Sequence, residues 1–281
     1  MSHPLDNIPL LPHVLIMVYD VIIAGGGLNG ITLALALDSA GIRAAMIDKH
    51  APAAALKNGF DGRSYALAAA SQKMLEVLGL WDELADNAEP MLEIKVSDGF
   101  VGETPSPFVM EFGQEDFRQG PMGYMIEDRH LRAALHNALK RSSVVTMSDC
   151  EILTQTIHPT HAAVAMISGT TLTAALLVGA DGRNSSIAKA AGLTRAGWDY
   201  GQSSLVCAIA HDRPHNGIAH QYFMPSGPLA ILPLTQNRSG IVWTEKTETA
   251  QNIHALNDVD YLDVLRPRFG TFLGDISLAG D

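Results

Sequence analysis

The sequence holds little cysteine, few basic residues for its acidic ones, and no long apolar run. Cys150 and Cys207 are the only cysteines in 281 residues. Two thiols build neither a disulfide framework nor a cysteine metal cluster, and both read as structural residues of a chain in a reducing cytosol. Lys and Arg number 19 against 30 Asp and Glu, a net charge of −11. Binding a phosphate backbone needs a basic surface, so nucleic acid is excluded as a partner. No apolar run reaches the ~18 residues that a membrane helix needs. The first sixteen residues carry prolines but neither Lys nor Arg, so they do not read as a signal peptide. Residues 1–17 read as a leader expected to be disordered, with Met17 as a natural start. What is present is 47% hydrophobic against 17% charged residues, enough for one large or two modest globular domains.

Periodicity orders the chain. Residues 18–24 read as a buried strand, 28–40 as a helix apolar almost all round, and 43–47 as a second strand, together a βαβ unit. A helix is expected over 71–84, with Met74, Leu75 and Leu78 at helical spacing and a break at Gly79. Strands are expected at 92–96 and 108–112, around a loop rich in Gly, Pro and Ser. Residues 128–140 form an amphipathic helix with Leu131, Leu135 and Leu139 spaced by four. Strands follow at 144–147, 151–157, 162–167 and 171–178. After Gly197, short strands at 204–210, 219–223, 229–234 and 240–244 suggest an antiparallel sheet, followed by a helix over 259–269.

Gly25, Gly27 and Gly30 fit G-x-G-x-x-G between the first strand and the first helix. The first glycine allows the tight turn, the second lets the backbone approach a pyrophosphate, and the third lets helix and strand pack closely. The helix start then offers unpaired N–H groups and a partial positive charge to the phosphates. Asp48 ends the second strand eighteen residues after Gly30, where a carboxylate takes ribose hydroxyls. A free ribose means FAD or NAD, not NADP, and the motif does not choose between the first two.

A second motif lies in LLVGADGRNSSIAKAAG, residues 176–192. An apolar strand ends in Asp181-Gly182, and Ser185 is placed to cap a helix. Asp181 reads either as a second hydroxyl-binding carboxylate or as part of an ordinary Asp-Gly turn. The close histidine pairs, His158 with His161 and His211 with His215, contain prolines and read as surface loops, not metal sites. Tyr222, Phe223 and Met224 read as sheet core before pocket lining. No residue is singled out as a catalytic acid or base, and no metal site is expected.

The pair GGGLNG (residues 25–30) and GADGRNS (179–185) resembles the class A flavin-dependent aromatic monooxygenases of the p-hydroxybenzoate hydroxylase type. GFDGRSYALAAAS (59–71), GPLAILPL (227–234) and GIVWT (240–244) are similar to segments of the ubiquinone-biosynthesis hydroxylases in that family, and within them to the 2-octaprenyl-6-methoxyphenol hydroxylases. The resemblance implies an α/β fold: a Rossmann-like FAD-binding domain with an antiparallel-sheet substrate domain. It divides the chain into 18–90 with 120–196 for FAD, 91–119 with 197–258 for substrate, and 259–281 as the start of a return to the FAD domain. It implies that Gly25, Gly27, Gly30 and Asp48 hold the ADP half of FAD, and that Asp181 serves FAD and the passing reductant. It further places Arg63 at the pyrophosphate or flavin side and Arg129, with Asp128, against the phosphate-ribose region. A surface ion pair with Asp61 is the alternative for Arg63. Where the family tends to carry Arg late in the Asp-Gly motif, this chain has Ala188, with Lys189 beside it.

Such enzymes reduce FAD with NAD(P)H and insert an oxygen atom from O2 into an electron-rich phenol. No second G-x-G-x-x-G is present for a resident nicotinamide, so NAD(P)H is expected as a transient co-substrate. The expected partner is a small aromatic molecule, prenylated in this group. The implied location is the cytoplasm, with peripheral association at the inner membrane or in a biosynthetic complex left open. A third family motif, Gly-Asp after a late strand and before a helix, is not matched by Gly280-Asp281, so the chain reads as C-terminally truncated with weak FAD retention. Two other readings stay open: another Asp-Gly flavoprotein, such as a soluble-aromatic hydroxylase or a prenyl reductase, and a non-catalytic scaffold.

Overall fold

The computed structural model describes residues 19–51, 59–103, 106, 108–116 and 120–280. The expectations for the leader and for Asp281 fall outside them. The chain divides into two compact units, Met1–Ala51 with Ser142–Thr194, and Pro52–Arg141 with Arg195–Asp281. The first unit opens with β1 (Tyr19–Ala24), α1 (Leu28–Ser39) and β2 (Ala44–Ile47). The second begins with β3 (Ser64–Ala68), α2 (Ala69–Val77), α3 (Trp81–Leu84), β4 (Ala88–Met91), β5 (Glu93–Asp98), β6 (Val109–Gly113), β7 (Gly123–Glu127) and α4 (Asp128–Arg141). The chain returns to the first unit for β8 (Val145–Met147), β9 (Ile152–Ile157), β10 (Ala162–Met166), β11 (Thr171–Gly179) and α5 (Ser186–Ala190). It ends in the second with β12 (Gln202–His211), β13 (Ile218–Met224), β14 (Gly227–Leu234), β15 (Arg238–Lys246), α6 (Thr247–His254), α7 (Asp258–Phe269) and β16 (Ile276–Leu278).

In the first unit six strands lie in the order β8-β2-β1-β11-β10-β9. β1 pairs in parallel with β2 and β11, and β2 with β8, while β11, β10 and β9 run antiparallel. The run Val21–Ala24 is buried throughout, as expected for a strand inside a parallel sheet. Ile22, Ala45, Ile47, Val164, Met166 and Ala174 form the core. Each large side chain there contributes roughly 1.5–3 kcal/mol by leaving water. α1 is buried on one face only, at Gly30, Ile31, Ala34 and Leu35, although its sequence is apolar almost all round. Leu28, Leu33 and Leu37, off that face, are only partly buried.

The second unit holds a seven-stranded sheet, β16-β12-β15-β14-β13-β5-β6, and a three-stranded one, β3-β7-β4. The large sheet is antiparallel except where β13 meets β5 in parallel, from Ile218 beside Glu93 to Phe223 beside Asp98. The strands expected after Gly197 pair antiparallel as expected, and β5 joins them in parallel at β13. The two strands are far apart in sequence, so no hairpin imposes antiparallel pairing on them. One face of the sheet, with Leu205, Ile209, Leu229, Ile231, Ile241 and Trp243, packs under Ala250 and Ile253 of α6 and Leu265 and Phe269 of α7. Trp243 is fully buried, donates Nε1–H to Glu245 Oε1 at 3.0 Å, and carries the Arg268 guanidinium over its ring at 4.7 Å.

Several local readings change. The small sheet and α6 carry no alternating apolar pattern, so periodicity misses them; Pro90 even sits inside β4. The break expected at Gly79 falls there, at φ +69 between α2 and α3, but of the residues at helical spacing Met74 is exposed while Leu75 is buried. His211 and His215 are not on a surface loop: both are buried. His211 meets the Arg213 carbonyl at 2.7 Å and the Ser239 hydroxyl at 3.0 Å. His215 meets the Leu234 carbonyl at 2.7 Å and accepts from Gly217 N–H at 3.0 Å. Each ring satisfies both nitrogens, which is what permits its burial. Burial holds both below the ordinary histidine pKa. Among the described residues, no helix is long and apolar enough to cross a membrane.

Candidate functional site

In the first unit, β1 ends against a turn that has no room for side chains at two of its glycines. Gly25 takes φ +113, and a Cβ there would lie 2.3 Å from the Ala180 carbonyl oxygen. Its N–H donates to the Ile47 carbonyl at 2.7 Å, and Ala180 N–H donates to the Ala24 carbonyl at 2.7 Å. Gly30 backs the turn, where a Cβ would meet the Gly25 carbonyl oxygen at 1.9 Å. Gly27 differs: nothing lies within 4 Å of its would-be Cβ. These are the three uses expected of the three glycines: tight turn, close approach from outside, and close helix packing. Gly27 is also the N-cap of α1, and no side chain caps that helix or places an acid in its first turn. Its leading N–H groups and partial positive charge therefore face outward.

Gly25, Gly27, Asp48 and Asp181 line one crevice of about 390 Å³, together with Gly182, Ser186 and Cys150. The two carboxylates thus converge on the same space. Asp48 accepts from the N–H of Gly26 and from that of His50, the latter at 2.7 Å. Gly26, not singled out by the motif, is the donor that orients the carboxylate across the turn. Asp181 accepts from the Ser185 hydroxyl, from Ser186 N–H at 2.7 Å and hydroxyl at 3.1 Å, and from Ile187 N–H at 3.3 Å. Ser185 caps α5 as expected, accepting from Ala188 N–H at 2.9 Å. Desolvation alone would raise the Asp181 pKa, but the hydrogen bonds from Ser185, Ser186 and Ile187 outweigh it and hold the carboxyl below its ordinary value.

The two arginines implicated by resemblance belong to the second unit. Arg63 donates Nε–H and Nη2–H to Asp61 at 2.9 and 2.7 Å and lies 3.3 Å from Asp128. Asp128, 3% exposed at the start of α4, also accepts from Tyr65 Oη at 2.6 Å and Arg132 Nε at 2.7 Å. Arg129 donates Nε–H to Glu127 at 2.7 Å. Glu127 is 2% exposed and receives Arg238 Nη2–H at 2.6 Å on its other oxygen. The guanidinium carbons of Arg129 and Arg238 lie 5.4 and 4.9 Å from the Phe60 ring centroid. Sequence reasoning singled out neither Glu127 nor Arg238; the one signal was the Glu-Asp pair at the head of an amphipathic helix.

The profile of the FAD binding domain family matches residues 18–275. The ubiquinone hydroxylase UbiL of Rhodospirillum rubrum is 40% identical over 264 residues, 94% of this chain and 60% of that protein. The mitochondrial ubiquinone biosynthesis monooxygenase COQ6 of Danio rerio is 28% identical over 269 residues, 89% of this chain and 54% of that protein. The chain spans little more than half the length of these curated relatives. Among solved structures, PqsL of Pseudomonas aeruginosa is similar with a TM-score of 0.73 at 19% identity, over 94% of this chain and 72% of that one. This likeness bears out the fold class: a Rossmann-like α/β unit and a second unit built on a mainly antiparallel sheet.

Proposed function

The chain belongs to the FAD binding domain family, and on that premise we propose that it holds FAD and serves an NAD(P)H- and O2-dependent hydroxylation of an electron-rich, prenylated phenol in ubiquinone biosynthesis. The observation that carries the reading is the meeting of Gly25, Gly27, Asp48 and Asp181 at the uncapped start of α1. The leading N–H groups of α1 receive the pyrophosphate, and the bare Gly27 lets it approach the backbone. Asp48, oriented by Gly26 and His50, accepts the ribose hydroxyls. Asp181 shapes the facing wall of the crevice by holding α5. The family resemblance assigns Arg63, paired with Asp61 and Asp128, to the pyrophosphate or flavin side of the cofactor, and Arg129, paired with Glu127, to its phosphate-ribose region. When bound, the flavin supplies two-electron reduction and oxygen activation. On this reading residues 18–90 and 120–196 serve the cofactor, and 91–119 and 197–258 the substrate.

A prenylated substrate partitions into lipid, so the reading includes peripheral association with a membrane or a biosynthetic complex. The test of the activity is NAD(P)H oxidation in the presence of FAD and a prenylated phenol. The expected result is consumption that requires O2 and a product heavier by one oxygen atom. Consumption that continues without O2 and saturates the prenyl chain would make the protein a reductase instead.

A further inference from the structure

We propose that the helix-covered face of the seven-stranded sheet in the second unit carries a further small-molecule site, built for an aromatic carboxylate. A cavity of about 730 Å³ opens there, within the size range of small-molecule pockets. Its floor is the parallel join of β13 and β5, where Tyr222 sits beside Ser97 and His220 beside Lys95. Its roof is the end of α7 and the segment that follows, carrying Phe272.

The floor holds two polar groups that the fold does not use. Ser97 and Tyr222 are each 7% exposed, both line the cavity, and neither hydroxyl makes a hydrogen bond among the described residues. Neither oxygen is among the fully buried polar atoms, so both hydroxyls open onto the cavity, where a ligand can meet them. Two such groups side by side, facing the same space, are what a site awaiting a polar ligand contains. Burial raises the Tyr222 pKa, and burial with the Lys95 charge lowers that of His220 to about 4. Both rings are therefore neutral near pH 7 and available for stacking and hydrogen bonding.

The walls define the ligand. The His220 ring lies 4.6 Å from that of Phe272 and 6.0 Å from that of Tyr222, and Phe272 stacks on Phe269 at 5.3 Å. A planar aromatic body fits such a row. Among the cations lining the cavity, Lys95 is paired with Glu93 and Glu111, Arg266 with Asp263, and Arg268 with Glu245. Arg213, exposed at the rim, has only two long contacts, to the Thr271 and Phe272 carbonyls at 3.5 Å each, and no carboxylate within ion-pair distance among the described residues. The cavity therefore offers one uncommitted guanidinium and two free hydroxyls beside an aromatic wall. A carboxylate attached to an aromatic ring satisfies all three.

The test is calorimetric titration of 2-naphthoate into the unaltered chain without FAD, so its outcome is independent of the cofactor reading. The expected result is saturable one-to-one binding, with the neutral analogue 2-naphthylmethanol weaker by about tenfold or more. Arg213→Met, at an exposed position, should weaken 2-naphthoate by about tenfold or more, and Tyr222→Phe by about threefold to tenfold. Circular dichroism melts establish that each variant is folded, and the acid-against-alcohol comparison stands even if Tyr222→Phe is not. Absence of saturable binding, equal affinity for acid and alcohol, or unchanged affinity in Arg213→Met each overturns the proposal. So does displacement of 2-naphthoate by ADP, which would put it in the crevice of the first unit.

Discussion

Replacing Gly30 by Ala tests whether the turn is built around a close backbone approach. The added Cβ would sit 1.9 Å from the Gly25 carbonyl oxygen and 3.0 Å from its carbon. A relaxed carbon–oxygen contact is about 3.3 Å, so the start of α1 must retreat by roughly 1.4 Å. Both partners are backbone atoms and have no rotamer to escape into. Overpacking of this kind costs about 1–3 kcal/mol, and the better helix propensity of Ala returns up to about 1 kcal/mol. Gly30→Ala should therefore lose about 1–2 kcal/mol in urea unfolding, and its shifted N–H groups should bind ADP about tenfold more weakly. Gly27→Ser is the counterpart. Gly27 has ordinary extended angles, φ −74 and ψ −178, and Ser is a good N-cap, so stability should hold or rise by a few tenths of a kcal/mol. Its side chain would point into open space at a crevice-lining position, and ADP affinity should again fall by about tenfold. A Gly30→Ala variant as stable as the parent, or a Gly27→Ser variant with undiminished ADP affinity, would refute the reasoning.

Glu127→Ala should destabilise the second unit by about 2–4 kcal/mol in urea, because Glu127 is buried between Arg129 and Arg238 and its loss leaves both cations unpaired. An unchanged midpoint would show that the arginines re-pair with solvent at no cost. Stability should also fall as pH drops from about 6.5 toward 4. His220 has a folded pKa of about 4, so the unfolded chain takes the proton first, and the stabilisation present above the ordinary value disappears on the way down. The effect is of order 2–3 kcal/mol for this ring, and the pH profile of His220→Phe, measured by urea midpoints, should be flatter by that amount. A parallel profile would assign the acid sensitivity to other groups.

Where structure follows from a local constraint, the sequence shows it. The turn at Gly25, the burial of Ile22 and Ile23, the Leu131–Leu135–Leu139 face of α4 and the Ser185 cap each depend on residues within a few positions, or on one apolar period. The small sheet is different. Its strands pair Ser64 with Glu127 and Ala88 with Ile126, and β3 and β4 carry mostly Ala, Ser, Glu and Pro where strong strand formers would signal them. Only the distant partner makes these segments strands, which is the usual way tertiary context overrides propensity. The parallel join of β5 and β13 and the burial of His211 by Ser239 are illegible for the same reason. In the site, the glycines and the two aspartates were visible as a motif. The Glu127 pairing with Arg238 joins residues 111 apart, and no spacing announces it.

The two aspartates of the crevice carry unequal capacity to meet a ligand. A carboxylate offers about four lone-pair directions. Asp48 spends two, on Gly26 and His50, and these bonds fix its plane while leaving acceptor capacity for a ribose diol. Asp181 receives four donors, from the Ser185 hydroxyl, both the N–H and hydroxyl of Ser186, and Ile187 N–H. Three of these donors meet Oδ2 and only Ser185 meets Oδ1, so most of its capacity goes to holding α5 and the crevice wall. Asp48→Asn should therefore weaken ADP binding by about tenfold with little change in stability, since a charged acceptor is replaced by a neutral one at the ligand. Asp181→Asn should do the reverse. Its amide cannot accept from every present donor, so urea stability should drop by about 1–2 kcal/mol, while ADP affinity stays within about threefold. Measured together by calorimetry and urea unfolding, the pair separates ligand contact from wall support. A tenfold loss of ADP affinity in a fully stable Asp181→Asn variant would make Asp181 a direct contact and break this division of labour.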